Sequence, residues 1–446
     1  MEKFFERMSF LLSPEELEVL KKEYEKPSYV GIRVNTLKCS KEKLLDLTNA
    51  FSEEDMTPFC SDGFYLKSKE AFSGNHPLHH AGAVYFQEPS AMSAATLLAP
   101  EEGDRVLDLC AAPGGKSTQL ASALKGTGLI WSNEIVKSRA NILLGNFERC
   151  GISQGVVSNA DPESLCTALE GYFDKVMVDA PCSGEGMIRR DHNALAEWSA
   201  EHTVSCATRQ LKILESAKKA LKPGGIMVYS TCTFSKEENE EVIEKFLKAN
   251  PDFELMDAEE DFGRPTLSGK ARRIYPMDGG EGHFAAKLKK KADSYGYINT
   301  TSALPTPDKK IPQLVRDFLS DTFYDTKPYE KLLIKDDKVY ALPEVCPDLS
   351  GTHTIRAGVF AGCIKKSYFE PEHSLFMSAD INNLKRVIDL KLDDIRVTKF
   401  LRGEEIDIDT NVKGYTAVAV EGIILGFGKA SGGKLKNKYP KGLRTH

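Results

Sequence analysis

The sequence predicts an α/β fold built on a parallel sheet with helices on both faces. Two observations carry this. Between about residues 76 and 291, apolar strand-like runs alternate with helix-length segments. The strand-like runs are continuously apolar rather than alternating, as in Lys175–Asp179 and Ile226–Ser230, the pattern of strands covered on both faces. The flanks lack this alternation, so a small α+β unit is expected before it and β-rich sequence after it.

In chain order, Ser13-Pro14-Glu15-Glu16 opens a helix, with Ser13 as cap and Pro14 in the first turn. Tyr29 to Asn35 reads as a strand and Ser40 to Asn49 as a helix. The central strands are expected near Arg105–Leu109, Gly128–Asn133, Gly155–Ser158, Lys175–Asp179 and Ile226–Ser230. Helices are expected near Lys116–Leu124, Lys137–Cys150, Thr203–Leu221 and Lys236–Asn250. Ala292 to Pro312, with Gly296, Pro305, Pro307 and Pro312, reads as a linker. After it come a short amphipathic helix at Gln313–Leu319 and strand-like runs at Val339–Leu342, Tyr415–Val420 and Ile423–Phe427.

The chain has 446 residues, 41% hydrophobic and 28% charged, enough for about three domains of ordinary globular composition. No run of about 18 apolar residues is present, and the N-terminus lacks a secretory apolar core, so a cytoplasmic protein without a membrane span is expected. None of the ten cysteines forms a Cys-x-x-Cys pair or a zinc-spaced cluster, so free thiols and no metal are expected. The net charge of −6 gives no bulk sign of nucleic-acid binding. Three local clusters are basic and free of acids: Arg264 to Arg273, Lys287 to Lys291, and Lys429 to His446. Singly each reads as a solvated face; together they suggest a polyanionic partner.

Two cysteines each follow an apolar run inside a tight polar turn: Cys182 in Asp179-Ala180-Pro181-Cys182-Ser183-Gly184, and Cys232 in Tyr229-Ser230-Thr231-Cys232-Thr233. Ligands of open α/β sheets bind outside the carboxyl ends of the strands, so both sulfurs are expected in one crevice, able to attack an electron-poor carbon. Asp108-Leu109-Cys110-Ala111-Ala112-Pro113-Gly114-Gly115-Lys116-Ser117 ends a strand and opens a helix, and its small residues let a ligand approach the backbone. It is not a phosphate loop, because Cys110 stands where that motif needs glycine, and the G-x-G-x-x-G fingerprint is absent. Glu134 and Asp161, at successive strand ends, suit a ribose diol and an adenine amino group. An adenosine ligand without a phosphate loop points to S-adenosylmethionine rather than ATP.

These motifs resemble those of the Nop/Sun family of RNA cytosine-C5 methyltransferases. Gln87-Glu88-Pro89-Ser90 and Gly279-Gly280-Glu281-Gly282-His283-Phe284 match its flanking motifs. Leu425-Gly426-Phe427-Gly428-Lys429 and Leu435 to Arg444 are similar to the RsmF type, which methylates small-subunit ribosomal RNA. The resemblance implies a Rossmann-like class I methyltransferase core dependent on S-adenosylmethionine. It also implies an N-terminal α+β RNA-binding region at 1–75, the methyltransferase domain at 76–291, a linker and small connecting domain at 292–370, and a PUA-like RNA-binding domain at 371–446. The implied cofactor site is Cys110, Ala111, Ala112, Pro113, Gly114, Gly115, Lys116, Glu134, Asp161 and Asp179.

Position alone leaves the two thiols interchangeable. The resemblance makes Cys232 the nucleophile on cytosine C6, gives Cys182 product release, and sets Asp179 against the cytosine N3 edge. The implied reaction is C5 methylation of cytosine in 16S ribosomal RNA, in the decoding region, on free RNA or within the small subunit. A transfer-RNA methyltransferase is the alternative with the same motifs. A non-catalytic RNA-binding protein is disfavoured by the intact Cys232 and Gly114-Gly115 turn. Lys116 is left open between a methionine carboxylate and solvent, Lys137 and Arg139 between site and helix surface. His283 is expected to be structural.

Overall fold

The structure is a computed structural model and describes residues 1–67, 72–294 and 311–445. The chain opens with α1 (Glu2–Met8) and α2 (Pro14–Tyr24). Ser13 caps α2 reciprocally with Glu16, each side chain accepting the other's backbone N–H, and Pro14 fills the first turn. Then come β1 (Gly31–Val34), α3 (Lys41–Leu47), β2 (Gly63–Tyr65), α4 (Pro77–His80) and β3 (Val84–Phe86). β1 lies between β2 and β3, antiparallel to both. The small sheet therefore runs past residue 75, the expected boundary. Three residues carry no readable period, and only pairing with β1 makes β3 a strand.

The central unit follows as α5 (Ser93–Leu98), β4 (Arg105–Asp108), α6 (Gly115–Ala123), β5 (Leu129–Asn133), α7 (Lys137–Cys150), β6 (Gly155–Ser158), α8 (Pro162–Ala168), β7 (Phe173–Asp179), α9 (His192–Glu197), α10 (Ala200–Ala220), β8 (Leu221–Thr231) and α11 (Glu240–Ala249). Five strands are parallel in the order β6-β5-β4-β7-β8. One face packs Trp131, Val176, Val178 and Tyr229 against Leu214 and Ala217 of α10, and the other packs Val106, Ile130 and Met177 against Leu97, Leu120 and Leu143. Both faces are covered, which is why these strands are apolar throughout.

The sheet is mixed, not purely parallel. β9 (Phe253–Leu255), β10 (Arg264–Thr266), β11 (Ala271–Ile274) and β12 (His283–Lys290) extend it, with β12 antiparallel to β8. The extension was not predicted because its strands are short or, in β12, interrupted by lysines.

Beyond residue 310 come α12 (Gln313–Thr322), β13 (Leu332–Lys335), β14 (Lys338–Ala341), β15 (Thr354–Ala357), β16 (Val359–Ile364), β17 (Phe369–Pro371), α13 (His373–Met377), β18 (Val387–Leu390), α14 (Ile395–Leu401), β19 (Ile406–Asp407), β20 (Gly414–Val420), β21 (Ile423–Ser431) and β22 (Lys434–Asn437). Most of the expected linker, 295–310, lies outside the described residues. A four-stranded sheet, β13-β14-β16-β17, precedes a five-stranded one, β18-β20-β21-β22-β19. β15 leaves the first of these and pairs antiparallel with β6, so part of the region 292–370 completes the central sheet. The two C-terminal sheets share one core, in which Val315, Phe318 and Phe369 meet Ala417, Ile424 and Phe427. A second core joins the two ends of the chain: Ile32, Phe64 and Leu78 pack with Leu390, Phe400, Val418 and Leu435.

Candidate active site

β7 and β8 are adjacent and parallel, with Asp179 opposite Ser230, so the turns that follow them lie side by side. Cys182 and Cys232 sit on these turns with their sulfurs 3.1 Å apart. The Gly186 N–H donates to the Cys232 carbonyl at 2.9 Å. Glu185, fully buried, accepts from the Thr233 hydroxyl at 2.9 Å and the Phe234 N–H at 3.0 Å. Glu238, also fully buried, accepts from the Ser183 N–H at 3.0 Å and from Gln210 at 2.8 Å. Thr231 donates to Asn239 at 2.6 Å. Behind them, Gly282 has φ of +149°, and a Cβ there would lie 2.5 Å from the Phe234 ring and 2.8 Å from the Gly186 Cα. Only glycine allows that approach.

The two sulfurs are not electrostatically equal. The hydrogen bond to Cys232, reinforced by burial, pushes the Cys182 thiol well above the ordinary cysteine value. The sulfurs are within hydrogen-bond reach of each other, and either can donate to the other. Thiolate, not thiol, is the nucleophilic form.

Asp179 joins the sulfurs to the glycine turn. Its carboxylate accepts from Lys116 Nζ at 2.9 Å and Ser230 Oγ at 2.8 Å. Burial pushes the Asp179 carboxyl up, but Lys116, His283 and these hydrogen bonds outweigh it, and the group is held below the ordinary aspartate value. Burial alone would lower Lys116, but Asp179 holds it above the ordinary lysine value. Lys116 is therefore no solvated first-turn lysine. Asp108 lies beneath them, fully buried, its carboxyl raised to about 7 by burial against the Ser117 hydrogen bond.

On one side of the sulfurs opens a cleft of about 1040 Å³, lined by Cys110, Ala112, Glu134, Asp161, Asp179, Cys182 and Cys232 among others. Its volume suits a nucleoside-sized ligand. No side chain caps the N-terminus of α6, where Gly114 has φ of +116°, so the first-turn N–H groups are open to a ligand. Glu134 is buried; its carboxylate accepts the Val136 N–H at 2.9 Å and pairs with Arg139 at 3.3 Å. Arg139 also donates to the Ala112 carbonyl at 2.7 Å, so it braces this wall. Asp161 lines the cleft but spends one oxygen capping α8, on the N–H groups of Glu163 and Ser164. At most its other oxygen is left to read a ligand. This donor set of two strand-end acids, an uncapped helix start and small residues fits S-adenosylmethionine.

A second cavity, about 340 Å³, lies across the sulfurs and is lined by Cys110, Ala111, Ala112, Pro113, Gly115, Lys116, Asp179, Arg190, Cys232 and His283 among others. The predicted site residues Cys110, Ala112, Asp179 and Cys232 border both spaces. Sequence reasoning did not find Glu185, Glu238 or Arg190, and it discounted His283. The acids carry no motif signal, because their partners lie far along the chain, Ser183 55 residues from Glu238 and Arg7 farther still from Glu185. The fold places His283: β12 is antiparallel to β8 with Phe284 opposite Thr231, which sets His283 across from Cys232.

The basic clusters divide. Arg264 pairs with Asp278 and Glu16, Arg273 with Glu240, and Lys290 donates to the Lys218 and Leu221 carbonyls. Those cations are largely committed within the fold. In the C-terminal cluster Lys434 pairs with Asp407 and Lys438 with Glu370, whereas Lys436 and Lys441 have no such partner among the described residues. Among the described residues, no helix is long and apolar enough to cross a membrane.

Family models match the chain in four stretches. Residues 95–289 match 16S rRNA methyltransferase RsmB/F, and 1–89 match the N-terminal domain of 16S rRNA methyltransferase RsmF. Residues 317–378 match the RsmF first C-terminal domain, and 387–445 the RsmF PUA domain. The ribosomal RNA small subunit methyltransferase F of Vibrio vulnificus is 33% identical over 438 residues, covering 94% of this chain and 92% of the relative. That of Vibrio atlanticus is 32% identical with the same coverage. Among solved structures, a methyltransferase homologue from Pyrococcus horikoshii is 32% identical with a TM-score of 0.55, covering 63% of this chain and 92% of its own. NSun6 of that organism, at 23% identity and a TM-score of 0.58, covers 66% and 99% and shares the fold.

Proposed function

The chain belongs to the family of ribosomal RNA small subunit methyltransferases F, and on that premise we propose that it methylates C5 of cytosine in the decoding region of 16S ribosomal RNA through a covalent bond from Cys232 to C6. It is an rRNA methyltransferase whose methyl donor is S-adenosylmethionine. We place its work in the cytoplasm, on small-subunit ribosomal RNA, either free or within the subunit.

The observation that carries the reading is the sulfur pair 3.1 Å apart beside an ionised Asp179. C5 of cytosine is a poor nucleophile. Addition of the Cys232 thiolate to C6 pushes the ring electrons towards C5 and N3, making C5 an enamine carbon. The Asp179 carboxylate, acceptor-only, favours a protonated N3 and the amino group beside it. The donor supplies an electrophilic methyl group, which ends on C5. A general base then takes the C5 proton, the electrons of that C–H bond restore the C5–C6 double bond as the C6–sulfur bond breaks, Cys232 leaves as thiolate, and N3 returns its added proton to solvent. Cys182, with its sulfur 3.1 Å away, hydrogen-bonds to the departing Cys232 thiolate and stabilises it. Cys110 to Lys116 with Glu134, Asp161 and Asp179 would hold the donor, and the second cavity the flipped base.

RNA containing 5-fluorocytosine tests the assignment, because fluorine at C5 cannot leave and the adduct persists. The wild type should form the adduct and Cys232→Ala should not. An adduct in Cys232→Ala but not in Cys182→Ala would reverse the two roles. Bisulfite mapping of 16S RNA with and without the protein, beside assays on naked RNA, assembled subunits and tRNA, identifies the substrate.

A further inference from the structure

His283 is 2% exposed, and among the described residues neither ring nitrogen makes a well-formed hydrogen bond, the Gly282 backbone being its near polar neighbour. Buried polar groups are nearly always paired, so an imidazole nitrogen left over beside a cavity marks a missing ligand. The ring lines the second cavity together with Cys232, Lys116 and Asp179. Its Nε2 stands 3.8 Å from Asp179 Oδ1, too far for a direct hydrogen bond. One amino group placed between them reaches both.

Resting on the reading that the flipped base enters this cavity, we propose that His283 is a specificity-determining residue that accepts from the exocyclic 4-amino group of the target cytosine, alongside Asp179. Uracil carries an oxygen at that position. It would turn lone pairs towards two acceptors and leave both unsatisfied, and such a mismatch is penalised far more than a missing contact.

The alternative use of this histidine is as the base that removes the C5 proton. Burial and the nearby Lys116 cation hold the imidazole down at about 3. It is therefore neutral at working pH and a feeble proton acceptor, but its lone pair remains a good hydrogen-bond acceptor. Lys116 faces the cavity as a donor and Asp179 as an acceptor, so the three groups offer a pattern matched to one pyrimidine edge.

The test is a cycle of two enzymes and two RNAs, using the full-length protein and the cytosine mapped by bisulfite. One RNA carries cytosine at the target, the other pyrimidin-2-one ribonucleoside, which lacks the 4-amino group. The enzymes are wild type and His283→Phe, with His283→Gln as the variant that restores an acceptor. His283→Phe should lower kcat/KM on the cytosine RNA about 10-fold or more, yet change it less than about threefold on the pyrimidin-2-one RNA. His283→Gln should recover part of the loss on cytosine alone. S-adenosylhomocysteine affinity reports whether each variant keeps its fold. Equal losses on both RNAs, or no loss on cytosine, would overturn the proposal. If wild type methylated no RNA cytosine at all, the functional reading itself would fall, which is a different result.

Discussion

The two cysteine turns occupy matching places, each just past a central strand of one parallel sheet, yet they are anchored in opposite ways. The Cys182 turn is gripped from below by buried Glu238 through Ser183, and the sulfur contact and burial push its thiol well above the ordinary cysteine value. The Cys232 turn is pinned through Thr231, Thr233 and its own carbonyl. Unequal anchoring behind equal placement separates the proposed attacking sulfur from its helper. The lesson is general: strand topology delivers groups to a site, and the hydrogen bonds behind them assign the work.

The largest break in that comparison is Cys232→Ala, expected to cost at least about 10³-fold in turnover and to abolish the 5-fluorocytosine adduct on denaturing gels. Cys182→Ala should slow turnover about 10²-fold while the adduct with ordinary RNA accumulates, because attack survives and departure does not. Next comes Asp179→Asn. In the wild type the folded-state value is depressed, so the stabilisation is present above the unfolded value of about 3.9 and lost as pH falls through the lower folded one. Melting curves should show the variant less stable at pH 7 and the gap closing below about pH 4. Glu238→Gln is the mildest, about 1–3 kcal/mol in urea unfolding, because an amide N–H₂ would face the Ser183 N–H. If Glu238→Gln raised adduct accumulation as Cys182→Ala does, grip and stabilisation of the departing sulfur would prove to be one function.

Much of this was legible in the sequence where short-range chemistry decides. The five parallel strands are apolar runs, and the turns after β4, β7 and β8 each carry a cysteine, with proline and glycine beside it in the first two. What was not legible depends on partners far along the chain. Arg264 looks free in a ten-residue window, but Asp278 and Glu16 neutralise it, the latter 248 residues away. The antiparallel strands around β12 owe their conformation to β8, not to their own pattern. Asp161 lines the cleft, but the start of α8 claims one of its oxygens. His283 resembled a core histidine because nothing local reveals that it lines a cavity with Cys232 and Asp179.

The core shared by Ile32, Phe64 and Leu78 with Leu390, Val418 and Leu435 bears on how the molecule can be cut or rearranged. Removing residues 371–446 would strip the C-terminal sheet and, with it, one wall of the N-terminal unit. A truncated chain would expose that apolar wall, so a loss of RNA binding on deletion would not report on RNA contacts alone. In modular terms the first and last segments are a single building block interrupted by the catalytic one. Grafting this methyltransferase core onto another targeting domain would require transplanting both ends together, and a graft of either end alone should yield an insoluble product.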